Sequence, residues 1–492
     1  MEPLESPVPF IAILVPFCAA ALILLSYRRR RLIEAYSLLA SILTFALVLI
    51  LLPRVMEGSE VTWSVLKLLP GANLGLHVDA FGLIFALTSS SLWIVSSLYS
   101  IGYMNAHDGH NLARFYAAFA IAIASALAVA MAANLFTLFI FYEILTISTY
   151  PLVVHEGTEE AMRAGRKYLA YLLTAGVFLL LSLLFTQHLA GGNEFTSGGI
   201  LAGHATDFIV RILFLTFLIG FAKAAWMPLH SWLPTAMVAP TPVSALLHAV
   251  AVVKAGAFGM MRVICYIFGL ELASAAGLNM ALILIASVTI LVSSFFALAQ
   301  DNLKRRLAYS TIGQLSYILL GVALLTPQGI AGALLHIPFH AYMKITLFFT
   351  AGCILVSTGL ENISEMKGIG RRMPLTMGAF TLGAIGVCGF PPLCGFFSKL
   401  LLAEGSVEAG AIPVLLVLLS SSVLNAAYFF PIIRTAFLDD PAEELRGRKE
   451  APVLVLIPSL ATALLSLLMG LYPAFPFLEL ATMAVRALAG GP

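Results

Sequence analysis

The chain has 492 residues and a formal net charge of +2; 60% of its residues are hydrophobic, only 11% are charged, and the mean hydropathy is +0.98. A soluble globular domain, with roughly a quarter of its residues charged, is excluded. The near-neutral balance gives no basis for binding nucleic acid, and the composition is that of a polytopic, all-α membrane protein.

Apolar windows long enough to cross about 30 Å of hydrocarbon recur almost without interruption. Cutting the chain at charged and Gly/Pro-rich breaks predicts about 14 transmembrane helices. They lie near 8–26, 33–52, 78–101, 113–132, 134–154, 166–189, 208–238, 241–265, 276–298, 304–325, 329–357, 376–407, 411–433 and 451–471. The first lacks a basic n-region and a small-residue cleavage site, so it reads as a retained helix rather than a signal peptide. No soluble domain is expected between spans. The last stretch, PFLELATMAVRALAGG, has the composition of a helix lying on the membrane surface.

Basic residues give a check on this count, because Lys and Arg collect in cytoplasmic loops. Alternate loops hold Arg28 to Arg31, Arg114, the Arg163, Arg166 and Lys167 group, Lys304 to Arg306, the Lys367, Arg371 and Arg372 group, and the cluster from Arg434 to Lys449. The opposite side has only Arg54, Lys67, Arg211, Arg262 and Arg486. A missed or invented span would scramble this alternation. The chain is therefore expected to be a multi-pass protein of the cell inner (cytoplasmic) membrane, with both termini on the non-cytoplasmic side.

Cys18, Cys265, Cys353, Cys388 and Cys394 all fall in apolar spans without CxxC spacing. They read as small buried hydrophobes, and no opposing axial ligand accompanies His336 and His340 for haem. No cofactor, metal, redox or catalytic site is expected.

Two spans are interrupted at membrane depth. The seventh carries Pro228 and Pro234, and the twelfth carries Gly389, Pro391, Pro392 and Gly395. Proline removes a helical hydrogen bond and frees a carbonyl, which lipid tolerates only where protein or water satisfies it. The breaks lie five spans apart, each with a lysine nearby: Lys223 precedes Pro228 by five residues and Lys399 follows Pro392 by seven. Paired interruptions point to an internal repeat with a site at its interface, and the odd spacing makes the repeats inverted. The competing reading is two unrelated proline kinks. The expected organisation is an N-terminal three-helix segment (1–112), two inverted five-helix repeats (113–266 and 267–434), and a C-terminal loop with the last span (435–492).

Lys223, Lys254, Lys344, Lys399 and Glu143 each interrupt a different apolar stretch. An ionisable group at that depth costs about 2.5–3.5 kcal/mol or more, and such groups mark ion pathways. A lone carboxylate there would be neutral; Lys223 is the partner that would keep Glu143 ionised, and separating the two would release a proton. His248 precedes Lys254 by six residues. His336, His340 and Lys344 fall four apart, a stripe about 12 Å long on one helix face suited to a water file. A core residue bonded to a carbonyl is the competing reading for each histidine alone. His77 and Asp79, at the mouth of span 3, read as interfacial. His230 lies in the seventh-span break, where it could line a proton exit or hold structure. Ser310, Thr311 and Gln314 read as helix-packing residues, and HEGTEEAMRAGRKY as a solvated segment without chemistry.

The stretches NLFTLFIFYEILTISTYPL, GFAKAAWMPLHSWLPTAMVAPTPVSALLHAVAVVKAG and GFPPLCGFFSKLL resemble the antiporter-type membrane subunits shared by respiratory complex I, membrane-bound hydrogenases and Mrp Na+/H+ antiporters. The resemblance runs through spans 4 to 13, and the TISTYPLV and HEGTEEA stretches look nearest to the Mrp D-type subunit. It implies an ion pair of Glu143 and Lys223, a central relay at Lys254, a terminal Lys399, and a connection between halves through His336, His340 and Lys344. Some complex I members carry glutamate where Lys399 stands. The expected function is proton translocation within a multi-subunit complex, with other membrane subunits, the lipid bilayer, protons and possible Na+ as partners. An autonomous secondary transporter of a small solute is the alternative from another class, and it would need specificity groups beyond proton relays. A membrane scaffold would leave five buried charges unexplained.

Overall fold

The computed structural model describes residues 4–69, 72–107, 109–441 and 443–490. Every predicted span has a counterpart. Helices α1 (Val8–Leu25) and α2 (Arg30–Met56) come first, followed by α3 (Ala80–Ala106), α4 (Leu112–Ala130), α5 (Leu135–Val153) and α6 (Glu159–Ala190). The seventh span is α7 (Asp207–Gly220), a 3-10 turn at Ala222–Ala224 and a short α8 (Trp232–Thr235). The eighth joins α9 (Thr241–Ala245) to α10 (Val252–Arg262) through a π-helical turn at Leu246–Val250 and ends in a second one at Val263–Phe268. After a short α11 (Leu270–Ala275) come α12 (Leu278–Ala299), α13 (Leu303–Ala323) and α14 (Pro327–Thr358). A short α15 (Ile369–Arg372) precedes the second interrupted span, α16 (Pro374–Cys388) and α17 (Gly395–Glu408). Last come α18 (Ile412–Leu438), α19 (Val453–Leu471) and α20 (Glu479–Leu488).

Helix starts follow local chemistry. Asn134, Thr158, Asn302 and Thr326 each accept a hydrogen bond from a first-turn amide of α5, α6, α13 and α14, satisfying donors that the helix itself leaves free. Gly191 and Gly359 end α6 and α14 in the left-handed region, which a side chain would strain.

Two segments form the core. The most apolar window of Thr241–Phe268 is 100% buried and that of α14 is 89% buried, against 33% for α18, so the first two are inner helices and α18 is peripheral. Helix α14 packs against α3, α13, α16, α17 and α19. Lipid offers no hydrophobic drive between helices, so close approach depends on small residues. A Cβ on Gly405 of α17 would lie 2.4 Å from the Gly329 amide nitrogen, which shows how tightly α14 and α17 meet.

A small sheet departs from the all-helical expectation. Strand β2 (Val61–Leu69) pairs antiparallel with β3 (Ala72–Val78) and parallel with β1 (Leu4–Glu5). Contrary to the interfacial reading, Asp79 just beyond β3 is buried. It accepts from the Gly82 amide at 2.7 Å, capping α3, and takes both guanidinium nitrogens of Arg262 at 2.6 Å. Arg262, counted above among loop residues, is 2% exposed and enclosed by Phe81, Phe258 and Tyr266. This bidentate pair bolts the sheet end of α3 to α10. Next to it, His77 lies 3.0 Å from Glu60. Burial disfavours the His77 imidazolium, but the Glu60 bond and the Asp79 charge outweigh it and raise its pKa.

Two outcomes follow. Asp79→Asn alone should lower stability by about 3–5 kcal/mol, because it leaves a buried guanidinium unpaired, whereas the Asp79→Leu/Arg262→Met double variant should recover most of that loss; thermal unfolding of the purified assembly checks this. The raised His77 pKa makes the His77–Glu60 clamp fully present below the ordinary histidine range and lost as pH rises through the folded value. Hydrogen exchange of the β2–β3 amides, corrected for intrinsic rates, should show protection falling over that window and no such step in His77→Ala.

Candidate functional site

Lys223 sits in the 3-10 turn that ends α7 and is fully buried. The sequence pairs it with Glu143, and the structure brings them to 3.9 Å, too long for a hydrogen bond. The ammonium instead donates to the Tyr142 carbonyl at 2.7 Å and lies 3.1 Å from the centre of the Tyr142 ring. Glu143 Oε1 is buried with no hydrogen-bond partner among the described residues. Its carboxylate nests against Gly176 of α6, where a Cβ would lie 2.6 Å away. The carbonyls freed by the break are taken up by indoles: Trp226 donates to Leu218 at 3.0 Å and Trp232 to Ala222 at 3.2 Å. His230 is half-exposed with Nδ1 3.3 Å from the Pro228 carbonyl, a contact within its own loop.

At the centre, Lys254 of α10 and His340 of α14 are 2.6 Å apart. His340 stacks on His336 with ring centroids 5.6 Å apart, and His336 Nδ1 is 2.9 Å from Ser398 Oγ on α17. The His336–His340 pair therefore reaches from Lys254 to the residue beside Lys399. Lys344, one turn beyond His340, donates to the Leu307 carbonyl of α13 at 3.2 Å, the same carbonyl that Thr311 binds. His248 lies in the first π turn, its ring 4.7 Å from that of Phe348 and within electrostatic range of Lys344. Among the described residues neither His248 nitrogen has a hydrogen-bond partner, nor does Nε2 of His336 or His340. Buried polar atoms of this kind are where ordered water bridges. Gly256 links the centre to the first break: a Cβ there would lie 2.9 Å from Lys223 Cβ.

In the second half Lys399 resolves the break differently. Its ammonium donates to Val387 and Cys388, the last carbonyls of α16, at 2.8 and 3.1 Å, and to Ser422 Oγ at 3.3 Å. A cation at a helix C-terminus also meets the negative end of the macrodipole. The Tyr317 ring lies 5.0 Å away. Sequence reasoning missed Ser398, the Tyr142 carbonyl and a network in which the Tyr428 hydroxyl donates to Asn425 Oδ1 and lies 2.8 Å from Ser310 Oγ. Ser398 precedes Lys399 and Tyr142 precedes Glu143, so adjacency to the lone charges is the signal that could have found them. Thr311 bonds within its own helix, as a packing residue does, whereas Gln314 Oε1 is buried without a hydrogen-bond partner among the described residues. Among the described residues no group of three or more His, Cys, Asp or Glu is placed to hold a metal ion.

The Gly176 contact yields a test of the pair. Gly176→Ala should displace the Glu143 carboxylate and reduce ion translocation in the assembled complex about as severely as removing Glu143, with assembly intact; rates measured in proteoliposomes check it.

Residues 132–425 match the family described as NADH:quinone oxidoreductase/Mrp antiporter, TM, a stretch that holds every candidate site residue from Glu143 to Lys399. NADH-quinone oxidoreductase subunit N of Desulforudis audaxviator is 34% identical over 418 residues, covering 82% of each chain. The D-type Na(+)/H(+) antiporter subunit of Bacillus subtilis is 26% identical over 461 residues, covering 93% of this chain and 92% of its own. These identities do not single out the D type. A chain of the membrane-bound sulfane sulfur reductase, an archaeal respiratory membrane complex, superposes with a TM-score of 0.88 over 98% of both chains at 26% identity. With a family match over more than half of its length and a relative 34% identical over 82% of both chains, the chain belongs to the NADH:quinone oxidoreductase/Mrp antiporter family of membrane subunits.

Proposed function

We propose that this subunit carries protons sideways through the membrane, along Glu143–Lys223, Lys254, His340 and His336 with His248 and Lys344 beside them, to Lys399. The observation that carries the reading is the run of contacts at the centre. Lys254 meets His340 at 2.6 Å, His340 stacks on His336, and His336 meets Ser398 next to the second break. The segments 113–266 and 267–434 act as the two half-channels, flanked by 1–112 and 435–492. The protein lies in the cytoplasmic membrane with both termini outside, as the basic loops indicate.

In the closed pair, Glu143 balances the Lys223 ammonium. At 3.9 Å the attraction is substantial in a poorly polarisable surrounding and no hydrogen bond has to break when the groups part. Drawing Glu143 away leaves the ammonium without its counter-charge, and its proton moves toward Lys254. Imidazoles pass protons on because one ring nitrogen accepts as the other donates. A chain of this kind moves protons only if something biases its states, so the energy comes from partner subunits, by electron transfer or by exchange against Na+. The relatives are likewise subunits of multi-subunit membrane complexes.

The test uses the assembled complex. Lys223→Met and Glu143→Gln, which keep side-chain volume, should each reduce proton translocation to background while the subunit still assembles. Translocation at the unmodified rate in both would contradict the reading. Uptake of an organic solute by the isolated chain would support the secondary-transporter alternative instead.

A further inference from the structure

A second polar line runs along α3, outside the lysine–histidine chain. His107, Tyr103, Tyr99, Ser96 and Ser89 recur at steps of four, four, three and seven, which places them on one helix face. That face packs against α9, the first π turn and α14. His107 is exposed at the end of α3, on the side where the basic loops collect, and its ring stacks on Tyr103 with centroids 4.6 Å apart. Around this mouth stand the exposed Glu156 and Glu361, within electrostatic range of Lys304, whose ammonium is tied to the Ala239 carbonyl at 3.2 Å. Glu156 and Lys304 are also within range of His107. Carboxylates and an imidazole at a membrane surface are groups that gather protons from water.

Deeper in, Thr241 Oγ1 donates to Tyr103 Oη at 3.4 Å. Tyr99 donates to the Phe349 carbonyl at 3.0 Å, its ring stacked on Phe349 at 3.9 Å. Gly352 of α14 makes the space for this: a Cβ there would lie 2.0 Å from Tyr99 Oη and 2.9 Å from Thr241 Cγ2. The same missing side chain thus sets the Tyr99 hydroxyl beside Thr241. Ser96, one turn further in, is 1% exposed and its hydroxyl has no hydrogen-bond partner among the described residues. Ser89 then donates at 3.1 Å to the Val250 carbonyl, within the π turn that holds His248. Both His248 nitrogens are buried and, among the described residues, without a hydrogen-bond partner. The line therefore starts at an exposed imidazole and ends at a buried one, with hydroxyls between.

We infer that this face of α3, with Thr241 and the gap at Gly352, is the intake route that delivers protons from the basic-loop side to His248 and so to the junction of the two halves. The inference rests on the proton-translocation reading above. Each hydroxyl takes a proton on its oxygen as it passes its own onward, so no phenolate forms; His248 receives the proton and hands it toward Lys344. Hydroxyls that served only to pack helices would not need to line up between surface water and an imidazole whose nitrogens have no hydrogen-bond partner among the described residues.

The experiment is proton translocation by the assembled complex in proteoliposomes, in H2O and D2O. Tyr99→Phe and Tyr103→Phe keep the rings and remove the hydroxyls, and Gly352→Ala displaces the Tyr99 hydroxyl while favouring the helix. Each should lower the rate about tenfold, less than the full effect of a positioned proton carrier because water can bypass one group. Each should also raise the H2O/D2O rate ratio, which loss of packing alone would not do. Tyr342→Phe, a buried tyrosine whose hydroxyl meets Ser91 outside this line, should leave the rate unchanged. Unchanged rates in Tyr99→Phe, Tyr103→Phe and Gly352→Ala, with Lys223→Met and Glu143→Gln inactive, would overturn the intake route and leave the translocation reading standing. Full activity in Lys223→Met and Glu143→Gln would overturn both.

Discussion

An ammonium group held at membrane depth must be solvated by the protein itself, and the way this chain meets that demand governs the rest of the structure. Lys223, Lys344 and Lys399 all donate to main-chain carbonyls, of Tyr142, Leu307, and Val387 with Cys388. Lys254 turns to an imidazole. A hydrogen bond to a charged group contributes about 1.5–3 kcal/mol, the same order as the roughly 2.5–3.5 kcal/mol that insertion of the charge costs. One or two such bonds therefore hold each amine without a carboxylate locking it in place, and a proton so held can move on.

The contrast with Arg262 shows what a fixed charge looks like in the same protein. Its two 2.6 Å bonds to Asp79 and its aromatic surround make a bolt, whereas Glu143 and Lys223 stand 3.9 Å apart with one carboxylate oxygen lacking a hydrogen bond among the described residues. The first geometry resists separation and ties the small sheet and α3 to α10. The second allows it. Helices α10 and α14 carry both the rigid core and the polar groups, so the site rests on the most enclosed elements rather than on loops. At the two proline-interrupted spans, tryptophan indoles and Lys399 take up main-chain carbonyls.

Much of this was legible in the sequence because lipid imposes strong rules. Spans follow from the length of apolar windows, breaks from Pro228 and from Gly389 through Pro392, and the polar path from charges standing alone in apolar runs. The Glu143–Lys223 proximity and the stripe of His336, His340 and Lys344 came from the same logic. Backbone acceptors were invisible, since a carbonyl such as Leu307 O carries no residue-type signal. Asp79 and Arg262 were misplaced because each lies near a span end, where a charge reads as interfacial, and their pairing across 183 residues has no local trace. The β2–β3 hairpin hid in a loop between spans, and the π turns at Leu246–Val250 and Val263–Phe268 break no residue pattern.

The central claim is a connected, hydrated corridor between the two helix breaks, and high-resolution cryo-electron microscopy of the assembled complex in lipid tests it most directly. The account predicts ordered water bridging Lys223 to Lys254 and contacting the nitrogens of His248, His336 and His340 that have no hydrogen-bond partner among the described residues, continuous through to Lys399. Side chains or acyl chains packed dry between Lys223 and Lys254, or between His336 and Lys399, in every state the complex adopts would contradict it.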